Sequence, residues 1–357
     1  MKLRELFKDI TAGNDSDRVV GIDIGSSSIK VVEVQEKNDL LTLTSYGELQ
    51  LGPYDDKEIG QSVILNPKKE QQALVDVIRE SAVKASDAVL ALPLSASFVT
   101  MIDFVASENE DLSSRVRVEA RKYIPVPISE VTLDWAEVES DVRKGKDVRS
   151  VLVAAIQNES LNRFRILTQF ANLKQPPTEI ECFSAIRGIF KEDETDVAVI
   201  DIGAVSTKLY IAHDGLLQRM HRVRAGGALA TKKIATKLGL SFEEAEERKR
   251  LTAQGDPDFS EIEIAHNESY DRTWREIRQV IQEYEDRRSA EIEKVYLTGG
   301  GAIFPTIKNT IADALRKEVV MVNTFNKVAY PAFMEDMVAE LGPTFHIALG
   351  AALRVFE

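Results

Sequence analysis

The sequence holds one cysteine, Cys182, and four scattered histidines, at 213, 221, 266 and 346, among 357 residues. A single cysteine excludes an internal disulfide, and so few dispersed imidazoles supply no zinc-ligand spacing. No apolar run reaches the roughly 18–20 residues that span a bilayer, and the opening MKLRELFKDI intersperses charge where a signal peptide has an unbroken apolar core. Positive charge is also short. With 45 Lys+Arg against 58 Asp+Glu the formal net charge is −13, which argues against a nucleic-acid or anionic-membrane surface over most of the molecule. These absences together point to a protein of a reducing cytoplasm, neither secreted nor membrane-spanning.

The hydrophobic content of 44% is ordinary for a globular protein, and 357 residues suit two lobes better than one core. Leu3, Leu6, Phe7 and Ile10 fall on one helical face ahead of the turn-rich TAGNDSD. That face fits either a helix docked on its own domain or a docking or membrane-surface helix. A β-β-β-α pattern then runs to about residue 87. Residues 88–175 read as strand, strand, helix, strand, strand, helix, with AVLALP and SFVTMIDFV as the first two strands and a hairpin turning at VRKGKD. This stretch is expected to be an inserted subdomain able to fold by itself. From Gly226 to about Arg288 the pattern is helical and charge-rich, with Trp274, Ile277, Val280, Ile281 and Tyr284 forming an apolar stripe opposite a solvated face. A strand, KVYLTGGGAIF, and two further helices close the chain, the last being FHIALGAALRVF, amphipathic or buried.

One octet occurs twice. Asp-Ile-Gly-x-x-Ser-x-Lys stands at 23–30 within VVGIDIGSSSIKVVEVQ and again at 201–208 within VAVIDIGAVSTKLYIAH, each time between strongly β-forming runs. Gly25 and Gly203 let the backbone bend after each aspartate. The amides of Gly25, Ser26, Ser27 and Ser28, and of Gly203, Ala204, Val205, Ser206 and Thr207, can then converge with nearby hydroxyls on one anion. A single copy would be read as a plain hairpin with a capping aspartate; duplication makes a shared polyphosphate site the better expectation. Asp23 and Asp201 would then face each other across a cleft, where a hydrated Mg²⁺ relieves their repulsion. Lys30 and Lys208, by strand alternation, either reach the cleft or snorkel to solvent, and carry no assigned role. Gly226 and Gly227 precede a helix, and Gly299, Gly300, Gly301 and Ala302 link a strand to a helix, both places where backbone can approach a ligand closely. Glu246 and Lys249 stand at i,i+3 on a helix, either an exposed ion pair or an adenosine contact.

Paired Asp-Ile-Gly turns, a mid-chain Gly-Gly and a late Gly-Gly-Gly, in this order, resemble the actin, sugar-kinase and Hsp70 superfamily. Within it the sequence is more similar to the PilM family of type IV pilus assembly, through GIDIGSSSIKVVEV, EARKYIPVPISEVTLDW, VLVAAIQNESLNRF, EIECFSAI, LTGGGA and IALGAALR. YIPVPISEVTLDW is the most specific of these. The resemblance implies a two-lobed α/β, actin-like (RNase H-like) ATPase fold with an FtsA-like inserted 1C subdomain. Its expected division is 1A at 1–87, 176–195 and the returning segment 331–357; 1C at 88–175; 2A at 196–226 and 294–330; and helical 2B at 227–293. It further implies ATP in the interlobe cleft with Mg²⁺ near Asp23 and Asp201, phosphates at the two turns, and adenosine between Glu246, Lys249 and residues 299–302. Glu181 matches the family's acidic position that orients an attacking water. The proline that follows this glutamate in chaperones and MreB-type filament proteins is missing from IECFSAI. ATP is therefore expected as a clasp between lobes, with turnover below roughly 1 s⁻¹.

As partners the resemblance implies the N-terminal cytoplasmic peptide of PilN in a groove between 1A and 1C, and beyond it pilus motor ATPases and the inner-membrane platform protein. The protein is then cytoplasmic and peripheral at the inner membrane through its partners, with no nucleic acid bound. Two rival functions share the cleft. An FtsA-like division tether needs a C-terminal amphipathic helix after a linker, whereas this sequence stops at LRVFE, so the N-terminal stripe would have to serve. A small-molecule kinase needs a substrate pocket and a carboxylate base aimed at a hydroxyl.

Overall fold

The computed structural model describes residues 17–107, 110–138, 148–174, 178–191 and 194–356. The N-terminal stripe and the VRKGKD turn lie outside the described residues. In chain order, β1 (Arg18–Ile24), β2 (Ser28–Lys37) and β3 (Leu40–Gln50) form an antiparallel meander, and β4 (Asp87–Leu92) pairs parallel with β1. Then β5 (Ser97–Val105), β6 (Val131–Val138) and β7 (Val148–Gln157) make a separate antiparallel sheet ordered β5-β7-β6. A short β8 (Glu179–Ile180) returns to β4, completing the first sheet as β3-β2-β1-β4-β8.

The second octet repeats this plan. β9 (Asp196–Ile202), β10 (Thr207–His213) and β11 (Leu216–Val223) form another meander, and β12 (Lys294–Thr298) and β13 (Glu318–Met321) add in parallel to give β11-β10-β9-β12-β13. Both sheets therefore carry their octet at the end of a central strand. Strands such as β1, RVVGIDI, are buried nearly end to end, because helices cover both faces. Alternation along β2 divides the layers: Val31 faces the core that holds Leu74 and Val77 of helix Pro67–Glu80, and Val32 the core that holds Ala348 and Leu349 of helix His346–Leu353.

Two sequence expectations are corrected. AVLALP is not the first strand of the insert: as β4 it lies in the first sheet beside β1. Nor is the insert a self-contained unit. Along β7, Val151, Val153 and Ala155 fill the insert's own core with Ile102, Val116 and Ile124, whereas Leu152, Ala154 and Ile156 point into the first-lobe core. Phe164 and Leu167 of helix Asn158–Phe170 join that second group. One strand thus supplies side chains to both cores.

The C-terminal helix His346–Leu353 is buried on all sides, which settles its amphipathic-or-buried ambiguity. It crosses helix Glu181–Ile189 through Gly188 and Gly350; a Cβ on Gly350 would stand 1.8 Å from the Ser184 carbonyl oxygen. The chain returns to the first lobe before the expected residue 331: Phe325 and Val328 pack with Val32 and Leu43, and Ala329 exchanges backbone hydrogen bonds with Leu41 and Leu43.

Candidate functional site: two turns at one cleft

The two octet turns have matching geometry. The Gly25 amide donates to the Ser28 carbonyl at 2.9 Å, and the Gly203 amide to the Ser206 carbonyl at 3.0 Å. Within each hairpin the octet's aspartate and lysine are direct cross-strand partners, Asp23 opposite Lys30 and Lys208 opposite Asp201. The spacing of the octet dictates this, since two short strand ends flanking a tight turn bring its first and last residues together. Both lysines therefore point into the cleft rather than to solvent.

Two cavities meet at these turns. The first, about 340 Å³, is lined by Ser27 and Ser28 from one turn and by Gly203 and Ala204 from the other, with Lys30, Gly227, Glu246, Lys249, Gly300 and Gly301. The second, about 410 Å³, takes Gly25 and Ser26 on one side and Val205 and Ser206 on the other, with Glu181 and Lys208. Asp23 and Asp201 are buried beneath the turns. Thr207 does not join the group: it is fully buried, and its hydroxyl donates to the Ala225 carbonyl at 2.8 Å.

The glycines divide by role. Gly299 has φ +90°, and a Cβ there would meet Asp201 Oδ1 at 2.4 Å; one on Gly226 would meet the Gly203 carbonyl oxygen at 2.4 Å. These two permit loop to pack on loop, and Gly301 packs on Ile202 in the same way. Gly300 alone of the triplet faces open space, so it is the position where a ligand could come close to backbone. Ala302 is core. Glu246 and Lys249 do form their i,i+3 ion pair, at 2.6 Å, but it is buried, and Lys249 Nζ also reaches the Thr231 hydroxyl at 2.7 Å and the Gly227 carbonyl at 3.3 Å.

Burial and charge act differently on the two aspartates. Burial pushes Asp23 up from 3.8 to about 6, and the nearby Lys30 and Lys208 do not cancel it. Asp201 is equally desolvated, yet Lys208 at 3.3 Å, with His346 and Lys30 behind, outweighs burial and holds it below the ordinary carboxylate range. Lys30 hydrogen-bonds the Ser28 hydroxyl at 3.0 Å and pairs with Glu48 at 3.3 Å. Among the described residues no three His, Cys, Asp or Glu side chains are placed to hold a metal. A divalent ion would therefore have to share the two aspartates with its own waters and with phosphate oxygens, which suits Mg²⁺.

The far end of the first cavity was not legible in sequence. His266 lies flat against Phe304, ring centroids 3.7 Å apart, and burial lowers its pKa to about 4, so it is neutral near pH 7. Tyr270 lines the same end with a buried hydroxyl that has no hydrogen-bond partner among the described residues. A flat heterocycle with polar edges matches such a wall. The His266–Tyr270 spacing of i,i+4 was the available signal, but the same spacing marks ordinary helix cores.

Known proteins share the fold and part of the sequence. A solved PilM-PilN type IV pilus biogenesis complex superposes with a TM-score of 0.79 at 26% identity, covering 95% of this chain and 98% of that one. MreB5 of Spiroplasma citri, solved bound to ADP, shares the fold at TM-score 0.51 and 12% identity over 92% of this chain and 98% of its own. Cell division protein FtsA of Bacillus subtilis (strain 168) is 24% identical over 356 residues, 86% of this chain and 78% of that protein. The fold is thus actin-like, and no helix among the described residues is long and apolar enough to cross a membrane. The family described as type IV pilus assembly protein PilM matches residues 21–356, and the chain belongs to it.

Proposed function

We propose that this protein is an ATP-binding scaffold of the type IV pilus inner-membrane complex. It clasps Mg-ATP between its lobes and captures the N-terminal cytoplasmic peptide of PilN, linking it to the pilus motor ATPases and the platform protein. The observation that carries this reading is the likeness to the PilM-PilN complex over 95% of the chain. The convergence of two repeated turns on one cleft supports the nucleotide: Gly25–Ser28 and Gly203–Ser206 face the phosphates, Asp23 and Asp201 hold Mg²⁺ through water, and Glu246, Lys249 and Gly300 take the adenosine. ATP in this role supplies anionic charge that both lobes share.

For the peptide, the rim of the second cavity is the proposed dock. Ile64, Leu65 and Pro93 of the first lobe face Phe164 of the insert, and Arg163 joins the two sides by a bidentate pair with Glu70 at 2.6 and 3.0 Å. Ile64 is 91% exposed there, so it is free to take a partner. Extended peptides bind chiefly through backbone hydrogen bonds and a few side-chain pockets. Calorimetric titration with N-terminal peptides of pilus inner-membrane proteins, with and without Mg-ATP, tests the reading. Saturable binding to one peptide is expected, weakened at least about tenfold, or 1.4 kcal/mol, by Ile64→Glu with an unchanged melting temperature. Binding to no peptide, or binding indifferent to Ile64→Glu, would contradict it.

A further inference from the structure

Glu181 has both carboxylate oxygens engaged. Oε1 accepts from the Leu94 amide at 2.9 Å, and Oε2 accepts from the Lys208 ammonium, also at 2.9 Å. The two ends of that ion pair come from different lobes, Glu181 from the helix packed on the first sheet and Lys208 from β10 of the second. Lys208 Nζ lies 3.3 Å from Asp201 Oδ2 as well, so one ammonium serves two buried carboxylates. All three side chains are at most 14% exposed. The repeat makes the arrangement distinctive: Lys30, the counterpart of Lys208, lines the first cavity and pairs with Glu48, whereas Lys208 lines the second.

Ser26, Val205 and Ser206 of the two turns share the second cavity with Glu181 and Lys208, so a water held there would stand between the turns and the carboxylate. In hydrolysis the water oxygen bonds to the γ-phosphorus. The bond from that phosphorus to the bridging oxygen breaks, its electron pair leaves with ADP, and the water proton needs an acceptor. A carboxylate serves by accepting that proton's hydrogen bond. An ammonium at 2.9 Å occupies the oxygen that would accept that hydrogen bond, and a charge-assisted contact of this kind has to be displaced before a water can use it.

We propose that Lys208 is a positioning residue that brakes nucleotide hydrolysis, holding Glu181 in an interlobe ion pair so that a bound triphosphate is kept rather than cleaved. This rests on the nucleotide reading above. The test measures single-turnover ATP hydrolysis and the affinity of a fluorescent ATP analogue for the full chain, Lys208→Gln, Glu181→Gln and the double variant, with melting curves for each. Lys208→Gln should hydrolyse at least about tenfold faster than the natural chain, a fraction of the roughly hundredfold that general-base assistance supplies at its low end. Glu181→Gln should remove that gain in the double variant, because the released carboxylate is what supplies it.

A Lys208→Gln chain that binds the analogue without gaining hydrolysis overturns the brake and leaves the nucleotide reading standing. A natural chain that binds no nucleotide overturns both. Should Lys208→Gln fail to fold, Glu181→Gln alone still decides: a loss of about a hundredfold or more, the size of a working general base, shows Glu181 active beside Lys208 and overturns the brake.

Discussion

Asp23 and Asp201 hold the same place in two copies of one octet, yet their carboxyl groups shift in opposite directions. Contact decides the difference, since Lys208 sits 3.3 Å from Asp201 while burial prevails at Asp23. A carboxyl raised from 3.8 to about 6 holds its proton in the folded chain over a window where the unfolded chain has lost it. Stability therefore falls as pH climbs from about 4 to about 6, and the cost is fully present above that. Asp23→Asn should raise the stability of the nucleotide-free protein at pH 7.5 by roughly 1–3 kcal/mol, seen as a higher melting temperature, while weakening Mg-ATP binding. A melting temperature that drops instead would mean that Lys30 and Lys208 stabilise Asp23 more than burial penalises it. At this scale the sequence exposed the aspartates and the glycine-serine turns but not the lysines. Alternation alone leaves a strand lysine two directions, and only the cross-strand register, Asp23 opposite Lys30 and Lys208 opposite Asp201, removes one of them. Likewise the sequence offers Thr207 as a cleft hydroxyl, whereas that hydroxyl donates to the Ala225 carbonyl.

At the scale of elements, the meanders around each octet were legible because their residues are β-branched and their turns carry glycine. Sheet membership was not. DAVLAL is buried throughout, so nothing in its pattern says whether β4 belongs to the insert or beside β1. The crossing of helices Glu181–Ile189 and His346–Leu353 was equally hidden, because a glycine in a helix reads as a weakness until a second helix is seen against it. Gly350→Ala should destabilise the fold by roughly 2–4 kcal/mol, since its Cβ meets backbone that cannot retreat. Gly300→Ala meets nothing within 4 Å, so it should leave the melting temperature alone and act only on nucleotide affinity. Denaturant curves and nucleotide titrations on both variants check the pair of outcomes; equal destabilisation would refute the division of glycines into packing and ligand-facing roles.

Across the whole molecule, the same five-stranded plan is built twice, and the two copies meet where their octets end. The lobes are in direct contact: Lys208 reaches Glu181, the Thr298 hydroxyl donates to the Pro343 carbonyl at 2.6 Å, and Gly60 abuts the Glu246 side chain. The insert adds a third body whose central strand is shared with the first-lobe core, so a peptide held at its edge would bear on the second cavity and hence on the two octet turns. Calorimetric titration of Mg-ATP into the natural chain, Ser27→Glu and Ala204→Glu tests this account most directly, because each substitution puts a carboxylate into one turn only. One ATP per chain, with affinity reduced at least about tenfold, or 1.4 kcal/mol, by either substitution on its own, is the predicted result. Binding that survives a carboxylate in one of the turns, or two independent sites, would contradict a single guest held by both lobes.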